Sequence, residues 1–249
     1  MAGPGRDAAC PACLGTRIGF GAARGGYRFD ECADCRYLFL NPRPAQADLN
    51  ELYREESIAA EPTFDKAGSR LRRALLKLPR FLRHAWRRDV LDLGCGGGFT
   101  AHALSLVAAS AAGIDINRGA IEYARQRFRR PRYECLELTA LEEGPRSFDF
   151  IHSSEMIEHV ADVNLYMRVL RRLCRPGGCV YITTPDRGHP KVPKNVAEWD
   201  VFCPPVHVQF FGRESAAALF RRYGFEIERF YANRKPGLQF VARKAVHGS

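Results

Sequence analysis

The stretch that most restricts what this chain can fold into is Val90-Leu91-Asp92-Leu93, which runs directly into Gly94-Cys95-Gly96-Gly97-Gly98. The first four residues read as a buried strand, and the stretch from Phe99 to Val107 reads as a helix. A strand, a glycine turn and a helix form the opening unit of an α/β sheet. Glycine lets the chain turn sharply, lets a ligand approach the backbone, and leaves the first N–H groups of the helix aimed at an anionic or polar group. A nucleotide-like ligand follows. The dinucleotide fingerprint wants a further glycine or alanine at position 99, where this chain has Phe99, and that disfavours nicotinamide and flavin cofactors.

Later landmarks extend the pattern. Ala111-Ala112-Gly113-Ile114-Asp115 reads as a second strand with an acid at its carboxyl end, where such folds bind ribose hydroxyls; the alternative for Asp115 is a cap on the next helix. Phe148-Asp149-Phe150-Ile151 reads as a fourth strand, Glu155-Met156-Ile157-Glu158-His159-Val160 follows it, and Arg175-Pro176-Gly177-Gly178 precedes a fifth. Residues 225–231 and 238–242 are strand-like around a Lys-Pro-Gly turn, a hairpin that gives a parallel sheet an antiparallel edge.

In this order the landmarks resemble class I S-adenosylmethionine-dependent methyltransferases, the broad family that includes ubiquinone-pathway O-methyltransferases and many sugar and natural-product methyltransferases. Gly94, Gly96 and Gly98 resemble that family's first motif, and the likeness covers Asp89 to about Ala242. It implies a doubly wound, mostly parallel seven-stranded α/β sheet over residues 89–249 with S-adenosylmethionine as cofactor. Asp92 with Gly94, Cys95, Gly96 and Gly98 would hold the methionine part, Asp115 the ribose, and Ile116 would flank the adenine; Ser154, past the fourth strand, joins this set. Near the adenine amino group the family usually shows an Asp, where this chain has Glu137. Glu137, the Leu138 backbone, or neither if Glu137 is a plain surface acid, would serve there.

Cys10 and Cys13, then Cys32 and Cys35, have the two-plus-two spacing of a zinc ribbon. Four thiolates close a tetrahedral site and leave no position for water or substrate, so the expected role is structural. A redox pair would need only one Cys-x-x-Cys. Tyr27, Phe29 and the 37–40 run read as ribbon strands ended by Asn41-Pro42-Arg43-Pro44, and the module resembles a zinc-ribbon subset of the same family. The expected division is a ribbon at 1–44, a helical linker and cap at 45–88, and the main domain at 89–249.

A hydroxyl acceptor wants a base, and His207 and His159, the latter beside Glu158, are the candidates with suitable acidity. The alternatives are loop anchoring for His207 and capping or packing for His159. His152 falls inside the fourth strand and reads as structural. The proline-rich segment 185–205, with His189, Lys191, Lys194, Trp199 and Phe202, is expected to cover the acceptor as a lid, although hydrophobic packing would look the same.

In the linker a short helix is expected from Asp48 to Tyr53, with Leu49, Leu52 and Tyr53 on one face. A second, at 66–88, carries Leu71, Leu75, Leu78 and Leu82 at helical spacing opposite Arg70, Arg72, Arg73, Lys77, Arg80 and Arg83, with Pro79 expected to kink or divide it. Such a face suits RNA, membrane or a carrier protein, or is merely solvated over an apolar stripe. The net charge of +10 allows RNA, anionic lipid, phosphorylated substrates or an acidic carrier, and an arginine-rich genome gives the same excess. Nine cysteines, five of them scattered through apolar segments, fit a reducing compartment better than a disulfide scaffold. With no apolar span of membrane length, a cytoplasmic protein is expected. The leading function is methylation of a small molecule, a sugar or biosynthetic intermediate, most often at oxygen and either free or carrier-tethered. RNA methylation and a non-catalytic cofactor-binding or carrier-docking module are the alternatives.

Overall fold

A computed structural model describes residues 7–51 and 66–246. Its N-terminal part is a meander of β1 (Ile18–Arg24), β2 (Tyr27–Cys32) and β3 (Leu38–Leu40), with the first cysteine pair ahead of β1, Cys32 ending β2 and Cys35 in the turn before β3. β1 carries little strand signal, since Ile-Gly-Phe-Gly-Ala-Ala-Arg is poor in β-branched residues, and its pairing to β2 is what orders it. A short helix, α1, follows at 46–51, beginning earlier than expected; Leu52 and Tyr53 lie outside the described residues, while Leu49 is buried.

α2 (Ala67–Ala85) runs through Pro79 as one helix, so of the expected kink or division the division does not occur. Pro79 lies on the exposed side of the helix, where water can meet the carbonyl left without a partner. A second correction concerns its apolar face. Ala74, Phe81, His84 and Ala85 are the buried positions, whereas Leu75 and Leu82 remain exposed. The small alanines bring the helix close to the sheet and rotate half of the leucine stripe outward.

The main sheet contains β4 (Asp89–Leu93), β5 (Ser110–Asp115), β6 (Arg132–Cys135), β7 (Phe148–Ser154) and β8 (Cys174–Pro185) in parallel, with order β6-β5-β4-β7-β8. Helices α3 (Phe99–Ser105), α4 (Arg118–Arg127) and α5 (Val163–Leu173) alternate with these strands. Later come β9 (Gln209–Phe210), α6 (Arg213–Arg222), β10 (Phe225–Phe230) and β11 (Gly237–Lys244). β11 pairs antiparallel with β8 and β10 with β11, completing the expected seven-stranded sheet with its antiparallel edge.

Strand alternation sorts the two faces. Val90, Phe150, Tyr181 and Val241 pack with Phe81 and Ala85 of α2, while Leu91, Ile151, Val180 and Ile182 pack with α5 and α6. Burial on both faces is why these strands read as nearly continuous apolar runs. Because β5 and β6 lie on one side of β4 and β7 on the other, the strand order reverses between β4 and β7, the place where open α/β sheets receive their ligands.

The ribbon does not close on itself. β3 pairs with β9, which makes a four-stranded sheet shared between the two ends of the chain. Phe29, Leu38 and Leu40 of that sheet form a second core with Leu49, Trp199, Phe202 and Phe210. Among the described residues no helix is long and apolar enough to cross a membrane.

Candidate functional site

A cavity of about 270 Å³ opens at the switch point, lined by Leu93 of β4 and Gly94 after it, Ile114 and Asp115 of β5 with Ile116 and Asn117 after it, Leu136, Leu138 and Leu141 after β6, and Glu155, Met156, His159 and Val160 after β7. Gln46 and Asn50 of α1 close it. The glycine turn adopts left-handed backbone at Gly94, Gly96 and Gly98, with φ of 76°, 49° and 77°. At Gly98 a side chain is also excluded sterically, because a Cβ would lie 2.7 Å from Tyr133 Oη.

Two aspartates hold this turn, in different ways. Asp92 is buried; its Oδ1 meets His152 Nδ1 at 2.7 Å and its Oδ2 accepts Ala101 N–H at 3.0 Å. Asp92 is not on the cavity wall; through these two bonds it fixes the start of α3, and His152 is held as a structural partner. Asp115 does line the cavity. Its carboxylate accepts Gly96 N–H at 2.7 Å and Asn117 N–H at 2.9 Å, so it holds the turn and faces the cavity at once. Burial pushes its carboxyl above the usual range, and the backbone bonds oppose that.

Of the other expected cofactor residues, Gly94, Ile116 and Leu138 are on the wall, while Cys95, Gly96 and Gly98 shape the turn behind it. Glu137 is turned toward α1, accepting Asn50 Nδ2–H at 2.9 Å, and so is not on the wall itself. Ser154 is engaged with Thr183, Oγ to Oγ1 at 2.5 Å, and is likewise off the wall. Asn50 therefore reaches the cofactor side, and Gln46 Oε1 accepts Ala161 N–H at 2.9 Å on the other side. α1 is the element that covers the cavity. The expected lid at 185–205 contributes nothing to the wall; Trp199 and Phe202 are buried against the ribbon, because their large apolar surface finds Phe29 and Phe210 there.

Beyond β7 the chain turns at Glu155 with φ of 51°, unusual for a residue with a side chain. Glu155 Oε1 accepts Thr183 Oγ1–H at 2.8 Å. Glu158 is fully buried, accepts Thr184 Oγ1–H at 2.9 Å through Oε2, and has Oε1 3.8 Å from His159 Nε2. Burial and the neighbouring Glu155 push Glu158 well above the carboxylate range. His159 lines the cavity; its Nδ1 meets Val206 O at 3.0 Å, which assigns the proton to Nδ1 and makes Nε2 the basic nitrogen. Burial and the proximity of His207 lower His159 to about 4, so it is neutral at physiological pH. His207 is off the wall, anchored through Nδ1 to Val201 O at 2.6 Å, with its ring 4.6 Å from that of His159. Loop anchoring thus describes His207 better than contact with a ligand. One ligand atom each from Glu158, His159 and His207 fall within 4.8 Å of one another, a donor set able to hold a divalent ion.

Sequence reasoning missed Gln209. It is buried on β9, donates Nε2–H to Val160 O at 2.9 Å and to Ile157 O, and accepts the Tyr37 hydroxyl through Oε1. One amide thereby ties the ribbon to the turn that carries Glu158 and His159. Glutamine has no spacing signature, so nothing in the chain flags it.

The four ribbon cysteines converge, with Cys10 Sγ to Cys35 Sγ and Cys13 Sγ to Cys32 Sγ both 3.6 Å and all four sulfurs within 4.8 Å. Tetrahedral zinc with Zn–S near 2.3 Å needs sulfurs about 3.8 Å apart, so the set fits that ion.

Residues 63–229 match a family model described as a methyltransferase domain. Among curated relatives, a ubiquinone biosynthesis O-methyltransferase of Idiomarina loihiensis is 31% identical over 117 residues, covering 45% of each chain. One from Pseudomonas putida is 38% identical over 105 residues, covering 40% of this chain and 45% of that one. The chain thus spans under half the length of the curated relatives it matches. Among solved structures, the 1,6-didemethyltoxoflavin-N1-methyltransferase of Burkholderia thailandensis, with bound 1,6-didemethyltoxoflavin and S-adenosylhomocysteine, has a TM-score of 0.61 at 18% identity, covering 91% of this chain and 99% of that one. An S-adenosylmethionine-dependent methyltransferase of Mesorhizobium loti has a TM-score of 0.55 at 23% identity, covering 67% and 95%. At these identities the structures establish the fold.

Proposed function

The chain belongs to the methyltransferase-domain family, and from that premise we propose that it transfers the methyl group of S-adenosylmethionine to an oxygen of a small-molecule acceptor. The observation that carries this reading is that one cavity is walled on one side by Gly94, Asp115, Ile116 and Leu138 and on the other by His159 and Glu155. The cofactor side fits its ligand by chemistry: an acid for the ribose hydroxyls, exposed backbone at Gly94, and apolar Ile116, Leu138 and Leu141 for a flat ring. Bound there, S-adenosylmethionine supplies a sulfonium-activated methyl group.

The chain's own part is to orient the acceptor, exclude water and take a proton. Gln46 and Asn50 of α1 close the cavity, and apolar Met156, Leu141 and Val160 leave little for water to bind. Neutral His159 accepts the hydroxyl proton at Nε2, and the Val206 carbonyl on Nδ1 steadies the imidazolium. Glu158, Gln209 and His207 position that imidazole. Zinc on Cys10, Cys13, Cys32 and Cys35 holds the ribbon that Gln209 grips. A sugar or other biosynthetic intermediate is the preferred acceptor class.

The test is calorimetric titration with S-adenosylmethionine and separately with NADH, using wild type and Asp115→Ala, followed by transfer of labelled methyl to phenolic and glycosidic acceptors with and without a chelator. Binding of S-adenosylmethionine alone, lost in the variant, with chelator-insensitive transfer to an acceptor, supports the reading with His159 as base. Loss of transfer on chelation while the four ribbon cysteines still hold their zinc assigns the Glu158, His159 and His207 set to an ion. Methylation of RNA or of a carrier-bound acceptor alone, or binding without turnover of any acceptor, would replace it with one of the other readings.

A further inference from the structure

Among the described residues, α2 leaves large apolar side chains exposed. Leu75, Leu82 and Trp86 are 38%, 37% and 60% exposed and, with exposed Pro79, follow one another at intervals of four, three and four residues, one strip along the helix. Beside it runs a second strip, Arg72, Leu76 and Arg83, in which Leu76 is 69% exposed. The Arg87 N–H bond to Val107 O, 2.8 Å, brings the turn holding half-exposed Leu106 to the end of the first strip. Residues 66–88 carry nine lysines and arginines and no acid. A merely solvated face would not place leucines and a tryptophan among its cations.

We propose that this face of α2 docks on the surface of an anionic lipid bilayer, with Leu76, Leu82 and Trp86 entering the headgroup region and the flanking arginines meeting lipid phosphates. Leucine and tryptophan on one side and arginine around them is the composition of a helix lying in a membrane interface, and tryptophan is favoured at that depth. Charge decides against a second copy of the chain, because two such faces would repel. It does not exclude RNA, but a single-stranded nucleic acid wants aromatic faces on which bases stack, and here one tryptophan stands among aliphatic residues. The inference is independent of the proposed reaction, since it uses no residue of the cavity.

The chain carries its own reporter. Of its two tryptophans, Trp86 is exposed and Trp199 is 4% exposed, so a blue shift on adding vesicles reads Trp86. The full-length protein is titrated with vesicles of phosphatidylcholine alone and of equal parts phosphatidylcholine and phosphatidylglycerol, with flotation in parallel. The expected result is a blue shift and flotation with anionic vesicles only, weakened by salt. Leu76→Ser with Leu82→Ser should weaken binding about tenfold or more, and Arg72→Gln with Arg83→Gln about twenty-five-fold, near fivefold for each charge at the surface. Leu76→Ser alone, at the most exposed of these positions, keeps the test valid if the double variant misfolds, and circular dichroism checks each protein. Trp86→Phe should lose the shift and keep flotation. No shift or flotation with any vesicle overturns the proposal, and so does RNA binding that the arginine variants weaken while the leucine variants bind vesicles as wild type does.

Discussion

On one side of the cavity, Gly94, Asp115 and Ile116 come from a single strand, turn, helix and strand run between 89 and 116. On the other, His159 is held by Val206, the turn bearing it is held by Gln209, and Gln209 is held by Tyr37 from the far end of the chain. The cofactor side is therefore built from local contacts that the parallel sheet would impose on almost any ligand. The acceptor side depends on a four-stranded sheet assembled from residues 18–40 and 209–210. A side of that kind can be lost without the other, and each prediction below tries to separate the two or to show that they move together.

Removing the ribbon ion should have the largest effect. Structural zinc contributes on the order of 10 kcal/mol to small modules of this kind, and β3 cannot hold β9 once the ribbon unfolds. Chelation under mild denaturant, or Cys32→Ser, should abolish methyl transfer while the dissociation constant for S-adenosylmethionine changes less than about threefold, near 0.6 kcal/mol. Parallel loss of cofactor binding in calorimetry would break the comparison and make the two sides one cooperative unit.

Asp115→Ala attacks the local side. It removes a carboxylate that faces the ligand and also caps Gly96 and Asn117. Charge-assisted hydrogen bonds are each worth roughly 1.5–3 kcal/mol, so S-adenosylmethionine should bind about a hundredfold more weakly. The thermal unfolding of the ribbon, followed by release of zinc to a chromogenic chelator, should be unchanged. A weakening under about fivefold, 1 kcal/mol, would mean that Asp115 only caps, the alternative that strand spacing left open.

Gln209→Leu tests the long-range side. It leaves the Tyr37 hydroxyl and the Ile157 and Val160 carbonyls buried without their amide partner, a cost of about 2–3 kcal/mol. Turnover should fall at least tenfold, while the dissociation constant for S-adenosylmethionine stays put. Urea unfolding and single-turnover rates together check this, because a purely structural glutamine would lower stability and leave the rate per folded molecule intact.

The contrast also explains what could be read from the chain. The glycine turn, the acid after β5, the C-terminal hairpin and the two cysteine pairs are spacing signals, each forced by backbone geometry within a few residues, and all appear where expected. Gln209, Gln46 and Asn50 are ordinary polar residues whose importance comes from the partners that tertiary packing brings to them. Trp199 and Phe202 carry a signal that was legible but ambiguous. Large aromatic side chains in a long loop must be buried somewhere, and the sequence does not say whether a ligand or the ribbon covers them. At Asp92 the demand for partners is visible in the sequence, while His152 and the Ala101 N–H that meet it are not. Pro79 was expected to kink or divide α2, and it does not divide it, because the rule that proline divides a helix weighs less on a face open to water.

The smallest effect expected is on acid stability, and it belongs to the acceptor side. Burial, with His207 nearby, lowers His159 to about 4, whereas an unfolded histidine titrates near 6.5. A depressed imidazole binds its proton more readily in the unfolded chain. Its contribution to stability is therefore complete above about pH 6.5 and is lost as the pH falls toward 4. At pH 5 the loss from this residue alone is about 2 kcal/mol. His159→Gln should flatten the fall in urea-unfolding free energy between pH 7 and pH 5 by about that amount, and its S-adenosylmethionine affinity should match wild type at both pH values. If the slope is the same in the variant, the imidazole is not held neutral by its surroundings and is no base poised in a dry cavity. If the slope flattens but cofactor affinity also drops, His159 reaches across the cavity, and the division between its two sides is less sharp than their construction implies.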